Sequence, residues 1–150
     1  MKVLRTPDIR FENLKDYDFQ PNYFDVKHEG EKMRMHYLDE NPSSDEVVLL
    51  LHGEPSWSYL YRHMIPILAQ AGKRVIAPDL IGFGKSDKPA ERSDYSYANH
   101  INWTTQLVEY LNLSNMILFA QDWGGLIGLR ILTANPEKFS GLVVSNSGLP

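Results

Sequence analysis

Cysteine is absent from these 150 residues, which excludes a disulfide, a thiolate nucleophile and a zinc–thiolate centre. The five histidines (His28, His36, His52, His63 and His100) form neither an HExxH pattern nor a paired ligand spacing, so no metal site is expected. Positive charge is not in excess: the net charge is −4, which leaves no basic footprint for nucleic acid. No apolar run approaches membrane-spanning length, and the start, Met1 to Asp8, is too broken by charge to read as a signal peptide. A cytoplasmic protein with no membrane partner is the expectation. Internal repeats and low-complexity tracts are also missing.

What is present suits a soluble globular fold: 43% hydrophobic and 23% charged residues, in a length that can bury one core. Residues 1 to 21 read as an irregular lead-in ending at Pro21. Tyr23–His28 and Met33–Leu38 read as strands joined by a hairpin turn at Glu29-Gly30-Glu31. Val47–Leu51 and Arg74–Ala77 are continuous apolar runs, as strands buried on both faces should be. Between them, Trp57 to Ala71 has helical spacing, with Leu60, Met64, Ile67 and Leu68 on one face. Pro66 should kink or divide that helix and Gly72 should stop it. A Gly/Pro/Ser/Asp-rich loop runs from Pro78 to Asp94. Ser96 is placed to cap a helix over Tyr97 to Leu111, with Tyr97, Ile101, Thr104, Val108 and Leu111 on its stripe. Strand 116–119, a helix ended by Asn135-Pro136, and an apolar strand at Leu142–Asn146 complete the chain. Apolar strands alternating with helices predict an α/β fold, with a mostly parallel sheet covered on both faces.

The stretch Phe119-Ala120-Gln121-Asp122-Trp123-Gly124-Gly125 compresses strand, abrupt turn and helix around one carboxylate, with small residues at 120, 124 and 125. That is the pattern of a nucleophile elbow, with aspartate where serine is usual. A carboxylate is ionised at neutral pH without a base. It is a weaker nucleophile than an activated serine, and suits an sp3 carbon bearing a good leaving group. Taken alone, Asp122 could equally be a helix cap. His52-Gly53-Glu54-Pro55, directly after strand 47–51, is either a plain turn or a source of backbone N–H donors, and His52 itself reads simply as a hydrogen-bonded histidine beneath the sheet. Gly82-Phe83-Gly84-Lys85-Ser86 lacks the first glycine of a phosphate loop, since Asp79 occupies that position, and reads as a structural loop.

His52 to Arg62, Arg74 to Pro89 and Gln121 to Gly125 together resemble the haloalkane dehalogenases of the α/β-hydrolase superfamily, and the likeness runs from about residue 20 onward. Epoxide hydrolases share each motif singly, but more often carry an aromatic at the place of Glu54 and histidine at the place of Gln121. The resemblance implies an α/β-hydrolase fold and the hydrolysis of small apolar haloalkanes to alcohol and halide, with water as co-substrate and no cofactor. Asp122 would be the nucleophile that forms an alkyl-enzyme ester. Backbone N–H groups of Glu54 and Trp123 would make the oxyanion hole, and the indole N–H of Trp123 would hold the halide.

The resemblance also implies parts that these residues lack. No histidine follows Asp122 to activate the hydrolytic water; Glu137 is the only later acid, and asparagine stands at 146. Residues 1–150 therefore read as the N-terminal part of a single core domain. They would end after the sixth strand, before the cap domain that carries the second halide donor, and would be inactive alone. An epoxide hydrolase, or a noncatalytic relative that binds a small ligand, is the alternative.

Overall fold

The computed structural model describes residues 1–149. In chain order the elements are β1 (Val3–Leu4), β2 (Asn22–His28), β3 (Glu31–Glu40), β4 (Val47–Leu51), α1 (Met64–Gln70), β5 (Arg74–Pro78), β6 (Lys88–Pro89), α2 (Tyr97–Tyr110), β7 (Met116–Gln121), α3 (Trp123–Ala134) and β8 (Phe139–Ser145). Six strands form one sheet in the order β2-β3-β5-β4-β7-β8. The β2–β3 and β3–β5 pairs are antiparallel, whereas β5–β4, β4–β7 and β7–β8 are parallel.

The central strand organises the core. All five side chains of β4 are buried, and their alternation sends them to opposite faces. Val47, Leu49 and Leu51 pack with Val108 of α2, with Leu118 and with Leu132 of α3. Val48 and Leu50 pack with Tyr61 and with Ile65 of α1. Helices thus cover both faces, and each fully buried Leu or Val contributes about 1.5–3 kcal/mol.

Local chemistry sets the boundaries. Glu29 and Gly30 both have positive φ, 47° and 83°, so a two-residue loop joins β2 to β3, as a type I′ hairpin requires. The expected Trp57–Ala71 helix is instead a 3-10 turn at Ser58–Tyr61 followed by α1. Pro66 is the third residue of α1, where its missing N–H would have had no intrahelical partner. Gly72, at φ 83°, ends α1: its N–H reaches Ala69 O at 3.0 Å and that of Lys73 reaches Leu68 O at 3.1 Å, a Schellman closure. Ser96 caps α2 as expected, its Oγ accepting from the Asn99 N–H at 3.0 Å.

Other expectations need correction. The buried residues of α2 are Trp103, Thr104, Leu107 and Val108, whereas Tyr97 is exposed. Trp103 and Leu107 fill the space beneath Val26, Met33 and Met35 of the hairpin, which turns the helix away from the simple apolar stripe. Two-residue strands β1 and β6 pair with each other, so neither the lead-in nor the 78–94 loop is wholly irregular. Arg5 reinforces that pairing with two hydrogen bonds to Asp87, at 2.6 and 2.9 Å. At the edge of the sheet, with β7 as its strand neighbour among the described residues, β8 leaves Leu142, Val143 and Val144 46%, 47% and 39% exposed. Among the described residues no helix is long and apolar enough to cross a membrane.

Candidate active site

The C-terminal ends of β4 and β7, adjacent parallel strands, place the two candidate loops side by side. In open α/β sheets, ligands bind beyond these strand ends. Asp122 follows β7 directly, at φ 53° and ψ −127°. A non-glycine residue at positive φ is strained, and such strain persists only where the surroundings fix it. Here the Asp122 carbonyl accepts from the Gly125 N–H at 3.0 Å and from Ser147 Oγ at 2.8 Å. Gly124 permits the close approach, since a Cβ there would run into the carbonyl oxygens of Leu51 and His52.

The side chain of Asp122 makes no capping hydrogen bond to α3. Its Oδ1 instead accepts from the backbone N–H of Glu54 at 2.9 Å. The turn after β4 can come this near because residue 53 is glycine: a Cβ on Gly53 would overlap the Asp122 carboxylate. Trp123 is the first residue of α3, where a backbone N–H has no partner inside the helix. The helix dipole favours negative charge at that end.

A cleft of about 610 Å³ opens beside these groups, within the usual size for a small-molecule site. Gly53, Glu54, Leu80, Phe83, Tyr95 and Tyr97 contribute to its wall, with Trp123, Ile127 and His100. The Trp123 ring is 46% exposed and lies 6.3 Å from that of Tyr97, whose hydroxyl is tied to Leu126 O at 2.7 Å. Arg92 and Ser96 also line the cleft, so its wall mixes aromatic and aliphatic side chains with polar ones. Burial pushes the His100 imidazole down to about 4, so it faces the cleft neutral near pH 7.

All three residues singled out from the sequence therefore meet: Glu54 and Trp123 line the cleft, and Asp122 lies against the Gly53-Glu54 turn. Sequence reasoning missed their supports. Asp79 is fully buried and accepts from the Ser58 and Lys85 N–H groups at 2.8 Å each, and pairs with His36 Nδ1 at 2.8 Å. It organises the Gly82–Ser86 loop, where Ser86 Oγ also donates to Asp79 O at 2.6 Å. The one available signal was an aspartate set directly behind an apolar strand. Ser147 offered none.

A family model described as the alpha/beta hydrolase fold matches residues 46–150. A haloalkane dehalogenase of Psychrobacter cryohalolentis is 59% identical over the whole of this chain and half of its own length. Among solved structures, a tetrameric haloalkane dehalogenase from Paraglaciecola agarilytica superposes with a TM-score of 0.95 at 48% identity, over all of this chain and 50% of that one. A Vigna radiata epoxide hydrolase variant gives a TM-score of 0.74 at 31% identity, over 85% of this chain and 38% of that one. The chain spans about half the length of the curated relatives it matches.

Proposed function

This chain belongs to the α/β-hydrolase fold family, and from that premise we propose that the whole protein is a haloalkane dehalogenase built around Asp122. The observation that carries the reading is the Glu54 N–H on Asp122 Oδ1, which orients a carboxylate that does no capping. With Oδ1 held, the other carboxylate oxygen attacks the halogen-bearing carbon. The carbon–halogen bond breaks, halide leaves with the bonding pair, and an alkyl ester of Asp122 remains.

Water then adds to the ester carbon, and negative charge develops on Oδ1. The Glu54 and Trp123 N–H groups are the donors for that charge. Collapse of the intermediate gives the alcohol, regenerates the carboxylate and releases a proton. The Trp123 indole N–H, a donor without acceptor capacity on a ring that lines the cleft, is the donor for the departing halide. The reaction requires no cofactor.

The remaining parts are assigned to residues outside these 150, as one core domain completed by further chain and a cap. Two facts support this: no histidine follows Asp122, and the relatives are twice as long. Glu54 and Gln121, with 59% identity to a haloalkane dehalogenase, favour this reading over epoxide hydrolysis.

The test sets halide release from 1-bromobutane against diol formation from 1,2-epoxyhexane, using the whole protein. Halide release with no diol is expected. Diol without halide would replace the proposed reaction with epoxide hydrolysis, and neither product would favour a binding protein.

A further inference from the structure

The peptide unit between Gly53 and Glu54 is held at both ends. Its N–H is the Glu54 donor to Asp122 Oδ1. Its carbonyl, that of Gly53, receives His52 Nδ1 at 2.9 Å, the Ser56 N–H at 3.0 Å and Ser56 Oγ at 3.1 Å. The direction of the imidazole bond follows from the ring's other nitrogen. The Leu80 N–H donates to Nε2 at 2.9 Å, so Nε2 carries no proton and Nδ1 must be the donor of a neutral ring. His52 is completely buried, and burial lowers its pKa, which agrees with a neutral ring. His52 therefore spans from Leu80, behind β5, to Gly53, behind β4.

We propose that His52 and Ser56 are positioning residues for the oxyanion donor: by bonding the Gly53 carbonyl they fix the Gly53–Glu54 peptide plane and polarise its N–H towards Asp122. Hydrogen bonds in series strengthen one another, and a donor set before reaction needs no reorganisation when charge appears. The inference rests on the reading of Asp122 as nucleophile, and it divides the reaction unequally. During alkylation the carboxylate loses charge, so a donor on Oδ1 is not strengthened in that transition state. During ester hydrolysis charge grows on Oδ1, so only this step gains from the brace.

The experiment uses the whole protein and three variants. His52→Gln leaves a carbonyl near the Nε2 position for Leu80 but no donor to Gly53. His52→Asn restores a donor near Nδ1 and gives up the Leu80 contact. Ser56→Ala removes one hydroxyl from a half-buried site and leaves the core intact. With 1-bromobutane, His52→Gln and Ser56→Ala are expected to keep the halide burst within about twofold, while ester hydrolysis slows about tenfold. The alkyl-enzyme should accumulate in intact-mass spectra, and His52→Asn should recover part of the rate.

Without substrate, the Glu54 amide proton resonance should move upfield in His52→Gln and Ser56→Ala and return towards its original position in His52→Asn. An unmoved Glu54 resonance, or burst and hydrolysis slowed in equal proportion, would overturn the proposal. An unaltered protein that releases no halide would instead refute the reaction, while the Glu54 resonance would still decide the brace.

Discussion

The Glu54 N–H meets Asp122 Oδ1 at 2.9 Å across 68 positions of sequence. That one contact links the turn after β4 to the elbow after β7, and only their parallel pairing in register, Leu51 with Ala120, brings the two together. It also separates the two roles open to Asp122, because a carboxylate turned towards the neighbouring strand end is not capping its own helix.

Gly53→Ala tests how closely the contact is set. The added methyl overlaps the Asp122 carboxylate, so either the turn or the side chain must move. A misplacement on the order of 1 Å costs about 10²-fold in rate. We expect kcat of the whole protein to fall by about that factor, while the urea unfolding midpoint changes little.

Trp123→Phe keeps the ring and the backbone N–H but removes the indole donor. The expected result is a fall of about 10- to 100-fold in kcat/KM for chloroalkanes, from loss of a charge-assisted hydrogen bond worth about 1.5–3 kcal/mol. Halide titration of intrinsic fluorescence should lose the quenching contributed by Trp123.

Asp79→Asn addresses the loop beneath the cleft. Burial pushes the Asp79 carboxyl up, but the His36 contact at 2.8 Å and the hydrogen bond from Ser58 outweigh it, and the net position is below the ordinary carboxylate value. The folded state thus stays ionised where the unfolded chain, near 3.9, takes up a proton. The stability gained is complete above that pH and is lost as pH falls below it. The substitution should cost about 3 kcal/mol at pH 7, measured by urea unfolding, and should flatten the acid limb below about pH 4.

His100→Phe should alter a different pH window. The imidazole is lowered to about 4 when folded, against about 6.5 in the unfolded chain. Between these values the unfolded state binds the extra proton, so stability declines as pH falls from 6.5 towards 4 and the effect levels off below. Thermal midpoints across this range should decline less steeply in the variant than in the parent. Parallel slopes would mean that His100 does not titrate as its burial implies.

Much of this was legible in the sequence because it rests on local pattern. The β4 run is apolar at every position, which only a strand covered on both faces tolerates, and Ser96 precedes a helix it visibly caps. Asp122, Glu54 and Trp123 were legible through short motifs whose geometry is carried by glycines. The misses are tertiary. Trp57–Ala71 has helical spacing, but Pro66 sets the start of α1 and leaves a 3-10 turn before it. Trp103 escaped the α2 stripe because its burial depends on the β2–β3 hairpin. The pairing of β1 with β6 joins residues more than 80 positions apart, and no periodicity in two-residue strands announces it. From the sequence His52 is no more than a hydrogen-bonded histidine beneath the sheet, and it is the bonds at both ring nitrogens that define its place.

The central claim is that Asp122 forms a covalent ester with the carbon that loses halide. The most direct measurement is peptide mapping of the whole protein, quenched in acid during turnover of 1-bromobutane. A butyl mass addition confined to the peptide bearing Asp122, absent in Asp122→Asn, is the predicted result. Halide release at the parent rate by Asp122→Asn, or a butyl group on another residue, would contradict it.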